Sequence, residues 1–223
     1  IFSSDPYWHL GVLSIPISVL WIVAITNAVN LIDGLDGLAC GVSTISSMTM
    51  LVISLAVADG PVAVIMAALA GGCIGFLPYN LNPAKIFMGD TGSLTLGYIL
   101  SFLAIKYSQN TESIPVTQGA FVIAFSTLIV PAFDVVRVVI VRIYNGKSPF
   151  EPDKNHIHHQ FLAMGFTVRQ AMLLILLVSC VFSGINILLM PYVDNTLMLI
   201  GDIVVWIGLN LWWSNVRRKK ITA

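Results

Sequence analysis

Residues 61–79, PVAVIMAALAGGCIGFLPY, hold no charged side chain. A bilayer core about 30 Å thick is crossed by about 20 mostly apolar residues in a helix, the form that satisfies its own backbone in lipid. The stretch is entered through the tight turn Asp59-Gly60-Pro61 and left through Asn80. Outward from it, comparable runs lie near 10–27, 38–58, 92–107, 117–141, 170–190 and 196–214, with Gly, Pro, Asn and Asp gathered between them. The whole chain agrees: 57% of its residues are hydrophobic and 10% charged, and its mean hydropathy is +0.89, whereas a soluble domain is roughly one-quarter charged. The expectation is an all-α, polytopic integral membrane helical bundle of about seven transmembrane helices, forming one membrane-embedded domain over 1–223.

Net charge is zero, so bulk electrostatics gives no reason to expect a nucleic-acid partner; the placement of the charges carries the information. Of the 11 Lys and Arg, only Lys106 and Arg137 fall outside Asn80–Gly92, the long Arg142–Arg169 loop and the tail Arg217–Lys220. The connections at Ser3–Pro6, Asp59–Pro61, Gln109–Pro115 and Met190–Asn195 carry none. By the positive-inside rule the basic segments, together with Asn27–Gly37, are expected in the cytoplasm, in a multi-pass protein of the inner (plasma) membrane. Cys40, Cys73 and Cys180 lie far apart in apolar stretches and suggest neither a disulfide framework nor a zinc knuckle. The chain opens with Ile1, and its first apolar stretch lacks the basic start and cleavage site of a signal peptide. It is therefore expected to be the C-terminal part of a longer protein.

Three polar motifs fall on the expected cytoplasmic side. In Asn27–Gly37, Asn27, Asn30, Asp33 and Asp36 recur every third residue, so a helical turn would stack their oxygens on one side. Hard cations seek such oxygen clusters and complete their shells with water and substrate phosphate; an ordinary Asp-Gly turn accounts for the same residues. In Asn80–Ser93, Asp90 stands between Gly89 and Thr91-Gly92 at the start of an apolar run. That placement suits a metal-bridged phosphate at a helix N-terminus. Simple capping explains Asp90 and Ser93 equally well, but leaves Lys85, Phe87 and Asn80 unexplained. In Ser148–His159, three of the chain's 4 histidines, His156, His158 and His159, fall within four positions. Such a cluster can bind metal, exchange protons near neutral pH or hydrogen-bond phosphate oxygens, although the spacing of a zinc hydrolase is missing. Asp134 and Arg137, three apart within a span, fit both a structural ion pair, with Arg137 reaching the headgroups, and a substrate role.

Taken in order, Asn27–Gly37, Phe87–Ser93 and His156–His159 resemble the motifs of the polyprenyl-phosphate N-acetylhexosamine-1-phosphate transferases, with the Pro149-Phe150 to His159 segment closer to the N-acetylglucosamine-1-phosphate branch than to the muramoyl-pentapeptide branch. The resemblance implies that a polyprenyl phosphate attacks the β-phosphate of a UDP-sugar, giving polyprenyl-diphospho-sugar and UMP at the start of cell-envelope polysaccharide synthesis, with Mg²⁺ as cofactor and Mn²⁺ as a substitute. By the same resemblance Asn30 and Asp90 match the metal ligands; Asp33, Gly34, Leu35, Asp36, Asn80 and Phe87 match the nucleotide positions, with Phe87 suited to packing on uracil; and His156, His158 and His159 match the segment over sugar and phosphates. Asp33, Asp36, Asp90 and His158 are the candidate catalytic groups. The implied partners are the UDP-sugar, the polyprenyl phosphate, the membrane and, as one option, a second copy of the chain. The family's adjacent aspartate pair in an earlier loop has no counterpart here, so the resemblance implies the C-terminal part of a ten- or eleven-helix protein that lacks about three N-terminal spans. Two other classes compete. A cation or solute transporter would place its binding groups near the bilayer midplane, often in two repeated halves. A CDP-alcohol phosphatidyltransferase would need further Arg and Asp spacing after Asp33-Gly34.

Overall fold

The computed structural model describes residues 11–109, 125–148, 156–189 and 192–222, of which 107–109 and 218–222 are described by their backbone alone. Among the described residues every regular element is helical: a 3-10 turn Gly11–Leu13, then α1 (Ser14–Leu31), α2 (Leu38–Ala56), α3 (Gly60–Asn80), α4 (Gly89–Gln109), α5 (Ile129–Tyr144), α6 (Ile157–Ala163), α7 (Val168–Leu189) and α8 (Asn195–Thr222). Five of them, α1 with its 3-10 turn, α2, α3, α7 and α8, are long and apolar enough to cross a membrane. The other two expected spans are helical where described but fall outside that group. The 21-residue α4 carries Asp90 and Lys106 in its end turns, and of the run at 117–141 residues 117–124 lie outside the described residues.

Helix α2 is the central element. Two-thirds of its span is buried, against a third or less for the other four, and it contributes to both main apolar clusters. Met50 and Ile53 pack with Val29 of α1, Met66 of α3 and Leu100 of α4. Leu38 and Val42 pack with Ile129 of α5, Phe161 of α6, Ile175 of α7 and Trp206 and Trp213 of α8. Lipid tails are as apolar as leucine, so helix association in a bilayer rests on close packing and small residues. Gly97 of α4 shows this: a Cβ there would lie 2.8 Å from Thr26 Cα of α1. Two buried hydroxyls of α2 donate to backbone carbonyls, Ser47 to Ser43 O at 2.6 Å and Ser46 to Thr127 O at 3.3 Å, whereas the buried Ser43 Oγ has no partner.

The antiparallel run from α1 to α4 brings the α1–α2 and α3–α4 turns to one end of the bundle, where Asp36 holds Asn82. At the opposite end Lys106 Nζ meets the Asp59 carboxylate at 3.1 Å. The polar motifs therefore share one end.

Candidate active site

The site is assembled from helix ends. Helix α1 runs four residues past the expected end of its apolar stretch, so Asn27 and Asn30 lie in its last turns, and the chain leaves the helix at Ile32. Helices can project beyond the lipid core with polar groups on their last turns, which hydropathy alone cuts off. Because the helix stops, the every-third-residue column does not continue as a single stack. Asn27 is exposed and donates to its own helix at Val23 O, 2.8 Å away. Asn30 donates through Nδ2 to Asp90 Oδ1 at 3.0 Å and to Ser93 Oγ at 2.9 Å. Asp36 turns to the α3–α4 loop, accepting from Asn82 Nδ2 at 2.9 Å and the Ala84 N–H at 3.1 Å. Leu35 is buried in the core beneath the turn, so its side chain anchors the loop. Gly37, at φ 80°, supplies the left-handed residue that starts α2.

Asp90 belongs to the first turn of α4 and is exposed. Its oxygen takes an amide from another helix, while Ser93 donates to Gly89 O at 3.1 Å; this exceeds simple capping. Burial raises the Asp33 carboxyl, and the neighbouring charges of Asp90 and then Asp36 raise it further, to about 6. Three carboxylates thus crowd one end of the bundle, and among the described residues none of them forms an ion pair with a basic side chain. Among the described residues no three His, Cys, Asp or Glu close into a metal cage. An amide and a carboxylate backed by further negative charge instead fit a hard cation that completes its shell with water and phosphate. The Asn30 oxygen can face the same space, since amide N and O are exchangeable by shape.

Asn80 is buried; it donates to Ile86 O at 3.0 Å, and its Oδ1 has no partner. Phe87 is 73% exposed, an aromatic face open to a planar ligand. Asn80 ends α3 and Phe87 stands on the loop that follows it, which Asp36 and Arg169 fasten, the latter donating from Nε to Asn82 O at 2.7 Å.

Of the histidine motif, residues 149–155 lie outside the described residues, while His156–His159 open α6. His158 is buried, its Nδ1 lacks a partner, and a Cβ on Gly34 would lie 2.7 Å from its Nε2. The glycine at 34 is what lets the motifs touch. Burial, then the charge of His159, with a smaller push from His156, lowers the His158 imidazole to about 4 against the pull of Asp134. The rings of His158 and His159 are 4.2 Å apart, and those of His156 and His158 are 5.9 Å apart and nearly parallel.

Asp134, whose two readings the sequence left open, is fully buried and reaches His156: its Oδ2 is 2.9 Å from His156 Nδ1. The Ile157 N–H donates to both its oxygens at 3.1 Å, and Arg137 donates to Oδ1 from two nitrogens, at 2.6 and 3.2 Å. The polar residue within a span was the sequence signal; nothing in the spacing links it to a histidine 22 positions on.

Fold and site together define a polytopic helical membrane protein with an acidic, histidine-flanked site at one end of its bundle. Residues 1–108 match the family model described as glycosyl transferase family 4. The chain is 45% identical over 188 residues to a probable undecaprenyl-phosphate N-acetylglucosaminyl 1-phosphate transferase of Bacillus subtilis, covering 82% of this chain and 51% of the relative. It is 39% identical to a decaprenyl-phosphate N-acetylglucosaminephosphotransferase of Mycobacterium leprae (74% and 45% covered), and 38% identical to a phospho-N-acetylmuramoyl-pentapeptide-transferase of Moorella thermoacetica (75% and 49%). The chain thus carries the glycosyl transferase family 4 match over residues 1–108 and, as its motifs indicated, is similar to the polyprenyl-phosphate N-acetylhexosamine-1-phosphate transferases. It spans about half the length of the curated relatives it matches.

Proposed function

We propose that the complete protein transfers N-acetylglucosamine-1-phosphate from its UDP-sugar to a polyprenyl phosphate and releases UMP. The observation that carries this reading is the convergence of Asn30, Asp33 and Asp90 with the Gly34–His158 contact at one end of the bundle. An oxygen of the lipid phosphate attacks the β-phosphorus, the bond from that phosphorus to the α-phosphate oxygen breaks, and UMP departs. Phosphoryl transfer asks a protein mainly for positioning and charge neutralisation. Asn30 and Asp90 would hold Mg²⁺, or Mn²⁺ in its place, and a bound cation offsets the charge on the diphosphate. Phe87 packs on the uracil, and Asn80 with the Asp33–Asp36 turn receives the rest of the nucleoside. His158, neutral at working pH, accepts a proton or hydrogen-bonds a phosphate oxygen, with His156 and His159 beside it. Asp36 acts by holding the Asn82–Ala84 loop against the Asp33 turn.

A cytoplasmic site on the plasma membrane suits the reaction, since UDP-sugars are water-soluble and the acceptor phosphate lies in the headgroup layer. Single cysteines at Ser113 and Ser148 should then label from opposite sides. The transporter alternative gains nothing from a site built at helix ends. The test of the reaction supplies the complete protein in detergent with UDP-N-acetylglucosamine, polyprenyl phosphate and Mg²⁺. Expected are UMP and a polyprenyl-diphospho-sugar in equal amounts; sugar-nucleotide turnover without a lipid product would contradict the reading.

A further inference from the structure

A buried carboxylate needs good partners, because removing it from water costs several kcal/mol unless its oxygens are well bonded. Asp134 has such partners, and they lie on two different segments. Arg137, one turn along α5 and 19% exposed in its side chain, would be enough for an ion pair reaching the headgroups. That pair leaves no reason for Asp134 to face α6, yet Oδ2 accepts from the His156 ring and both oxygens share the Ile157 N–H. An ionised carboxylate only accepts, so Nδ1 is the protonated nitrogen of His156.

His158, in contrast, has no polar anchor of its own at Nδ1. Its ring is located by packing: against Gly34 on one side, and in a nearly parallel stack with His156 on the other. Its place therefore depends on where α6 begins and how the His156 ring is turned. Both are set by the same carboxylate. Phe161, on the next turn of α6, meets Trp213 of α8 with ring centroids 5.0 Å apart, fixing the far end of this short helix.

We infer that Asp134 is a positioning residue: through His156 Nδ1 and the Ile157 N–H it fixes the start of α6 and so holds His158 against Gly34 in the site. The inference takes that site to be the transferase site proposed above. Reacting groups misplaced by about 1 Å lose on the order of a hundred-fold in rate, so the loss of this anchor should be read in kcat and not in substrate affinity.

The test compares Asp134→Asn with the charge-balanced double variant Asp134→Asn/Arg137→Met, which removes the partly exposed arginine's charge together with its partner and so guards against misfolding. Two readouts are used on the complete protein: UMP release, and the rate at which diethylpyrocarbonate acylates His158, assigned by tandem mass spectrometry. Expected in both variants is a kcat lower by about ten- to a hundred-fold, with the KM for UDP-N-acetylglucosamine within about two-fold, and His158 acylated several-fold faster. A structural ion pair would be repaired in the double variant, so wild-type kcat together with wild-type His158 reactivity there overturns the inference. A rise in KM at unchanged kcat overturns it too. If the wild-type protein releases no UMP, the transferase reading is what fails, and the His158 acylation rates still decide the anchor: acceleration supports it, and no change overturns it.

Discussion

Two acidic regions stand at the same end of this bundle and are built on opposite terms. Around Asp33 the carboxylates face one another: Asp90 and Asp36 add to burial in pushing Asp33 to about 6, and the neighbours are amide and hydroxyl groups. Around Asp134 every neighbour is a donor, from Arg137 to the His156 ring and the Ile157 N–H. The first arrangement carries surplus negative charge at a surface that a substrate can reach; the second is closed and balanced. On the proposed reading, their difference separates a place suited to a cation and a diphosphate from a place that holds structure still.

The largest break in that comparison is Asp90→Asn, which removes the exposed carboxylate while keeping the Asn30 contact sterically possible. UMP release should fall by about a hundred-fold or more, the size seen when a single electrostatic group at a reacting centre is lost. Gly34→Ala comes next. Its Cβ would press on the His158 ring at 2.7 Å, and since that ring is buried the clash should cost about 1–3 kcal/mol, read as a lower melting midpoint along with a lower kcat.

The pH dependence is smaller and has two opposed parts. Asp33 is raised from its ordinary 3.8 to about 6, so its contribution to stability is present in acid and is lost as pH rises through 6. His158 is lowered from its ordinary 6.5 to about 4, so its contribution is present above 6.5 and is lost as pH falls through 4. Between about 4 and 6 the two slopes oppose each other. Melting midpoints should therefore rise with pH across that window in Asp33→Asn, and fall with pH in His158→Gln; parallel slopes in the two variants would break the account. The smallest effect belongs to the other end of the bundle. Lys106→Met removes a partner of Asp59 that is 39% exposed, and should change stability by less than about 1 kcal/mol with UMP release unaltered.

Much of this was legible in the sequence because lipid imposes length and apolarity on helices. The uncharged run 61–79 lies wholly within α3, and the helices on either side follow the same rule. The helix ends were less legible: α1 continues through Asn30 and α4 begins before Asp90, since polar residues at the interface read as loop by hydropathy although their backbone is still helical. Asn30 and Asp90 were legible as a pair through the resemblance, and the structure adds their contact at 3.0 Å. The inward packing of Leu35, the hold of Asp36 on the α3–α4 loop, and the reach of Asp134 to His156 were not legible. Each is a contact across dozens of residues or between elements whose mutual angle no local spacing encodes.

The contrast between the two acidic regions is most directly tested by Mn²⁺ binding, followed by electron paramagnetic resonance on the complete protein in detergent, with wild type, Asp90→Asn and Asp134→Asn compared at one pH. The account predicts a bound Mn²⁺ whose affinity falls at least about ten-fold in Asp90→Asn and stays within about two-fold in Asp134→Asn, since only the first region has charge to spare for a cation. Equal affinity in wild type and Asp90→Asn would contradict it.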